Sequence, residues 1–314
     1  MKNTGMAVSI VLATLLAATP VFSQDGSDHG QVVVTVLPNV AGKAHSTINT
    51  ENLSLKVAGK EAKVTKWELY KSPDNNLELV LLFDDSARAS IANQRNEIAR
   101  FINNLAPGTK AAIAYMEYGK VVFAGPLTAD HAAVLGGVRM PSGLPGTSGG
   151  AYFCLSDLAR HWPSKDAQAR REVVMVTNGL GYYQAHFDPY SPDVMSTIAD
   201  SARAGLVVYS IYWADQGRFG AGAFGSFSGQ STLSYVTDAT GGRNFWMGTG
   251  DPVSFRPYFD ELNRRFRNQY ELDFTTGLTG KPQLKEMKLK FSAPGAEVNS
   301  PRQVMVYPAA IAQK

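Results

Sequence analysis

Polar side chains that can do chemistry gather at the ends of predicted strands in the middle of the chain. They are carboxylates, hydroxyls and an amide: Asp84, Asp85, Ser86, Thr147, Ser148 and Asn178. Ligands of an open parallel sheet bind outside the carboxyl ends of its strands, so we expect these groups to converge on one patch. Paired carboxylates such as Asp84 and Asp85 support acid–base chemistry, but neighbours on a strand point to opposite faces. A binding patch is therefore favoured over a catalytic one.

The elements that would position this patch alternate between strand and helix. Apolar runs predict strands at 79–83, 111–118, 120–123, 172–176, 206–212 and 244–246. Amphipathic or short apolar stretches predict helices at about 91–105, 129–138, 150–162, 193–204, 232–239 and 253–268. Strands that are apolar on both faces and separated by helices are typical of a mostly parallel, doubly wound α/β sheet covered on both sides.

Both ends of the chain have the alternating pattern of half-buried strands. These strands are predicted at 31–36, 53–57, 64–70, 270–274, 287–291 and 304–306. We expect the two ends to pair into a small β-sandwich-like domain with the α/β domain inserted between them. The predicted division is a signal peptide at 1–24, an N-terminal β region at 25–76, the α/β domain at 77–268 and a C-terminal β region at 269–314.

The central region resembles the von Willebrand factor A fold. The resemblance covers about residues 77–268 and rests on the loops 84–88, 146–150 and 177–179 together with the predicted strand order. Over nearly the whole mature chain, the exported N-terminal strands, the strand ending at Tyr212 and the exit after Asn268 resemble the VWFA-related proteins of Acidobacteria. The resemblance implies a binding or adhesion protein and not an enzyme.

Metal-binding members of this fold have a metal-ion-dependent adhesion site. An Asp-x-Ser-x-Ser loop, a threonine and an aspartate hold a hard cation there, and the cation binds a carboxylate of the partner. By position, Asp84 and Ser86 match, and Thr147, or its neighbour Ser148, supplies the threonine-type hydroxyl. The other two positions depart from the pattern. Arg88 replaces the second serine and Asn178 replaces the aspartate.

These departures remove the charge that would attract a divalent cation. Two carboxylates are reduced to Asp84 alone, and Arg88 offsets its charge. We therefore predict a degenerate site without a cofactor, in which Arg88 either pairs with Asp84 in place of the metal or lies exposed while Asp84 caps backbone amides. A retained magnesium or calcium site in a metal-dependent adhesin is the alternative.

Two long loops at the same edge are rich in aromatic side chains. The residues concerned are Tyr182, Tyr183, Phe187, Phe219, Phe224 and Phe227. Aromatic rings separated by glycines make adaptable contact surfaces, so these residues are predicted to bind a protein or cell-envelope partner. The alternative is that they cover helix ends of their own domain.

Composition and short motifs limit the other functional classes to which the protein could belong. With 30 Lys and Arg against 27 Asp and Glu the net charge is +3, which disfavours nucleic-acid binding. The single cysteine, Cys154, excludes an intramolecular disulfide. The glycines at 220–225 lie too far from a strand to bind a dinucleotide. A structural subunit of an envelope assembly is a further alternative, and a hydrolase is a distant one because no nucleophile or zinc motif is present.

The first 24 residues have the features of a secretory signal peptide. Lys2 precedes the apolar run Met6–Ala18, which is too short to span a bilayer, and polar residues follow. No second apolar span occurs, so no transmembrane segment is expected in the mature chain. We predict a periplasmic or secreted protein.

Overall fold

Two β-sheets organise the protein in this computed structural model, which describes residues 28–38, 49–71, 76–181, 186–214, 223–292 and 295–308. The first sheet has six strands in the order β6-β5-β4-β7-β8-β9. They are β4 (Leu77–Asp84), β5 (Lys110–Glu117), β6 (Lys120–Phe123), β7 (Arg170–Thr177), β8 (Leu206–Tyr212) and β9 (Asn244–Phe245). All pairs are parallel except β5 and β6, which form an antiparallel hairpin.

Helices cover both faces of this sheet. They are α1 (Arg95–Asn103), α2 (His131–Gly136), α3 (Ala151–Arg160), α4 (Pro192–Ala204), α5 (Ala223–Ala239) and α6 (Arg256–Phe266), with 3-10 helices at Thr50–Asn52 and Ala89–Gln94. Helices α1, α2 and α6 share one apolar core with the sheet, and α3, α4 and α5 share the other. This arrangement confirms the predicted α/β class. No helix of the described residues is long and apolar enough to cross a membrane.

The remaining strands form a second, antiparallel sheet in the order β12-β1-β10-β3-β2-β11-β13. They are β1 (Gly30–Pro38), β2 (Leu53–Val57), β3 (Lys60–Leu69), β10 (Gln269–Thr275), β11 (Gln283–Phe291), β12 (Ala296–Asn299) and β13 (Gln303–Val306). A bridge between His29 and Tyr307 brings the β13 edge back to the start of β1. The terminal strands thus form one curled sheet around its own apolar core, where the sequence predicted a small sandwich.

A buried polar cluster joins the two sheets. The Arg170 guanidinium donates hydrogen bonds to the carbonyl of Phe266 at 2.8 Å and to Gln269 Oε1 at 2.6 Å, and its Nε lies 3.6 Å from Glu172 Oε1. The side chains of Arg170, Glu172 and Arg265 are all inaccessible to solvent. Because α6 leads directly into β10 here, the cluster fixes the chain at the junction between the sheets.

Glu172 is the least satisfied member of this cluster. Neither of its carboxylate oxygens has a hydrogen-bond partner within the described residues. Burial raises the pKa of Glu172 to about 7, and the charges of Arg170 and Arg265, together with Gln269, act in the opposite direction. The ionised form of this side chain is therefore costly in the native state.

Candidate functional site

Asp84 ends the central strand β4 and is 2% exposed. Its Oδ2 accepts a hydrogen bond from the Thr177 hydroxyl at 2.8 Å, and its Oδ1 accepts one from the backbone amide of Ser86 at 2.9 Å. Burial raises the pKa of Asp84, and the hydrogen bonds from Thr177, Ser86 and Ser148 oppose that shift. Thr177 lies on the neighbouring strand β7, and its side chain was not singled out from the sequence.

Ser148, in the glycine-rich segment 146–150, lies next to Ser86 beside this carboxylate. The Ser148 amide donates to Ser86 Oγ at 3.2 Å, and the two hydroxyl oxygens lie 3.3 Å apart. The Thr147 hydroxyl instead donates to the carbonyl of Leu144 at 2.8 Å. Gly149, at φ +67°, lies so close to the turn after β5 that a Cβ would fall 2.3 Å from the Gly119 nitrogen. Of the two candidate hydroxyls, that of Ser148 therefore faces Ser86.

Asn178 follows Thr177 at the same edge, and its side chain closes its own loop. Its Oδ1 accepts a hydrogen bond from the Leu180 amide at 3.0 Å. Helix α5 packs directly against this loop, since a Cβ on Gly229 would lie 2.0 Å from the Asn178 carbonyl oxygen. The Tyr152 hydroxyl donates to the next carbonyl, that of Gly179, at 2.7 Å. The Asn178 amide oxygen is thus engaged within its own loop.

Asp85 is paired with an arginine that the sequence did not suggest. Arg139 donates from Nη1 to Asp85 Oδ1 and from Nη2 to Glu117 Oε1, each at 2.6 Å. Its guanidinium lies 3.7 Å from the centroid of the Tyr115 ring. The Ser142 amide and hydroxyl also donate to Asp85, to Oδ1 and to the carbonyl oxygen. These contacts fix the start of the segment that carries Ser148.

Arg88, predicted either to pair with Asp84 or to lie exposed, is an exposed residue that immediately precedes the 3-10 helix Ala89–Gln94. The Asp84 carboxylate accepts hydrogen bonds from Thr177 and Ser86, as described above.

The donor set does not fit a tight divalent-cation site. A tight site needs several oxygen ligands and usually more than one carboxylate, whereas the frame formed by Asp84, Ser86, Ser148 and Thr177 offers one carboxylate, which already accepts hydrogen bonds from Thr177 and Ser86. The Asn178 oxygen is already an acceptor for Leu180. Within the described part of the chain, no three His, Cys, Asp or Glu side chains are grouped so as to hold a metal ion.

The aromatic residues predicted to bind a partner differ in their placement. Tyr182, Tyr183 and Phe219 lie outside the described residues. The Phe187 ring packs edge-on against Tyr235 of α5, with centroids 5.9 Å apart, and remains 38% exposed.

Phe224 and Phe227 are 72% and 62% exposed, but they lie on α5, which begins within the segment expected to be a loop. Two further exposed side chains, Trp246 and Met247, follow β9 at the same edge. Hydrogen bonds from Gln230 to Gly248 and from Ser226 to Thr249 attach their segment to α5. We call Phe224, Phe227, Trp246 and Met247 the aromatic patch. Trp246 and Met247 were missed because a single short strand end gives no periodic signal.

Comparison with known proteins gives structural likeness only. No protein-family model matches the chain, and no curated protein matches it. An aerotolerance-related membrane protein from Bacteroides fragilis is similar at a TM-score of 0.44 and 12% identity, over 60% of this chain and 98% of that one.

Two further solved structures are similar over comparable shares of this chain. Proximal thread matrix protein 1 from the mussel byssus, with a zinc-occupied MIDAS motif, gives a TM-score of 0.43 and 13% identity over 62% of this chain and 46% of that one. The VWA domain of SpRpn10 gives 0.37 and 11% over 59% and 95%.

Proposed function

We propose that the chain is an exported, non-enzymatic protein whose von Willebrand factor A-like domain, at 77–268, binds a protein or cell-envelope partner without a metal ion. The observation that carries this proposal is the closed hydrogen-bonded frame around Asp84. The frame has the family's carboxylate and hydroxyl positions. Its donors and acceptors form hydrogen bonds with one another, so they are not free to bind a metal ion. In a degenerate adhesion site of this kind, the residues around the site recognise the partner, and a metal ion does not.

Electrostatics supports a metal-free frame. A divalent cation in the family's site is attracted by two carboxylates, whereas Asp84 is the one carboxylate in this frame, and the adjacent Asp85 is paired with Arg139. Burial removes Asp84 from water and so disfavours its negatively charged form, which is the form that would attract a cation. In this proposal, Arg88 takes the place of the second serine, and its positive charge discourages a cation from entering.

The aromatic patch is the surface that we propose for the partner. Phe224, Phe227, Trp246 and Met247 expose large apolar side chains, and a few large side chains of this kind carry most of the affinity at many protein interfaces. Phe187 extends this surface. We retain Tyr182, Tyr183 and Phe219 as proposed contacts on the strength of their sequence position.

The proposed location and organisation follow from the sequence patterns. The leader at 1–24 places the protein in the periplasm or outside the cell, and the terminal β regions at 25–76 and 269–314 act as one supporting domain. The kinship with the VWFA-related proteins of Acidobacteria is likewise a proposal that rests on the sequence motifs.

Capture of envelope proteins on immobilised protein tests the proposal. We expect at least one protein to be retained equally in EDTA and in magnesium, and to be lost with Phe224→Ser/Phe227→Ser. Val122→Ser serves as the matched control, because Val122 is exposed on the hairpin strand β6 and outside the patch. Retention that requires magnesium would favour a metal-dependent adhesin. Stable oligomers of the chain, unaffected by the Phe variants, would favour a structural subunit.

A further inference from the structure

An apolar cleft opens beside the frame, on the face covered by α1 and α2. The side chains that form it come from β4, β5, the 3-10 helix Ala89–Gln94, α1 and the segment after α2. The apolar part is lined by Phe83, Ile91, Ala92, Ile98, Tyr115 and Val138. Its volume is about 50 Å³, and since one ordered water needs roughly 10–15 Å³, it has room for a small branched apolar group.

The charges that line the cleft are positive. Arg95 and Arg139 contribute to its wall, and none of the lining residues is acidic. Arg139 is already paired with Asp85 and Glu117, as described above. Arg95 is exposed on the first turn of α1 and forms no ion pair with the residues that the structure describes. Its guanidinium is therefore available to a carboxylate placed over the cleft.

One residue of a partner would match both properties. We propose that the cleft binds the C-terminal residue of a partner protein, with a leucine-sized side chain in the cavity and the terminal carboxylate on Arg95. The side chain and the carboxylate of a C-terminal residue are attached to the same Cα, so one residue reaches both parts of the site. Planar guanidinium groups pair well with carboxylates because two N–H groups can donate in parallel. This inference deepens the proposed function and rests on it.

N-acetyl-leucine is the probe that tests this inference, with binding to the full mature chain followed by amide chemical shifts. We expect saturable shifts confined to residues around the cleft. N-acetyl-leucinamide, which lacks the charge, should bind about tenfold more weakly, as expected when a charged hydrogen bond is lost. N-acetyl-alanine should also bind about tenfold more weakly, because it leaves the cavity unfilled.

Two variants and a control locate the site. Arg95→Gln should weaken N-acetyl-leucine about tenfold, and Ala92→Phe, which fills the cleft from an exposed position, should abolish its binding. Arg100→Gln changes another exposed arginine of α1 outside the cleft lining and should have no effect.

Equal binding of N-acetyl-leucine and its amide would overturn the inference, as would the absence of shifts around the cleft. If partner capture still depends on Phe224 and Phe227 after such a result, the proposed function survives and the cleft inference alone fails.

Discussion

Replacing Glu172 with glutamine is expected to remove a pH-dependent part of the protein's stability. Glu172 is fully buried at the junction between the sheets, and burial raises its pKa to about 7 from an ordinary value of 4.5. Between these two pH values the native protein holds a proton that the unfolded chain has lost. The stabilising contribution is therefore fully present below pH 4.5 and is lost as the pH rises through about 7.

The size of the effect follows from the two pKa values. Each pKa unit corresponds to about 1.4 kcal/mol, so the contribution of Glu172 changes by about 3 kcal/mol across the full range. Most of this change falls between pH 5 and pH 8. Because glutamine does not ionise, the free energy of unfolding of Glu172→Gln, relative to the unmodified protein, should increase by about 2 to 3 kcal/mol from pH 5 to pH 8.

Urea unfolding followed by tryptophan fluorescence at several pH values between 5 and 8 measures this difference. Glu286→Gln provides the control for the Glu-to-Gln change, because Glu286 is exposed on β11. If the difference between Glu172→Gln and the unmodified protein does not change with pH, Glu172 does not titrate as described and the account of the junction is wrong.

Two further substitutions test the frame itself. Thr177→Val removes the hydroxyl that donates to Asp84, and we expect it to lower the free energy of unfolding by about 1 to 3 kcal/mol at neutral pH. If urea unfolding gives the same free energy for this variant and the unmodified protein, this hydrogen bond does not stabilise the fold. Gly229→Ala places a Cβ 2.0 Å from the Asn178 carbonyl oxygen, so it should lower the free energy of unfolding by about 1 to 3 kcal/mol or more. Gly136→Ala is the control: because Gly136 has open space around it, this change should be neutral or slightly stabilising. Equal melting temperatures for the two alanine variants would contradict the close packing of α5.

The sequence was most informative about the central sheet. The apolar runs that became β4, β7 and β8 are long and bounded by polar residues, so their type followed directly from hydropathy. The meeting of the loops that follow β4 and β7 was predictable as well, because strand ends at one edge of a parallel sheet must lie together. The start of α5 was missed because its glycines resemble a loop, although Gly229 is needed for close packing against the neighbouring loop.

Long-range pairs were beyond the reach of sequence patterns. Asp85 and Arg139 are 54 residues apart and share no periodic spacing. The choice between Thr147 and Ser148 depends on the local turn, which includes Gly149 at positive φ. The Glu172 carboxylate lies in a strand whose other residues are mostly apolar, and only the packing of α6 and β10 shows that it is buried. In each case the side chain's position and partner depend on contacts between segments that are distant in the sequence.

Calorimetric titration of Mg²⁺, Mn²⁺ and Ca²⁺ into the purified protein tests the central claim most directly. We expect no saturable binding by the unmodified protein and saturable binding by Arg88→Ser/Asn178→Asp, which introduces the ligand pattern of a metal-ion-dependent adhesion site. Saturable binding of any of the three ions by the unmodified protein would contradict the claim that this site works without a metal.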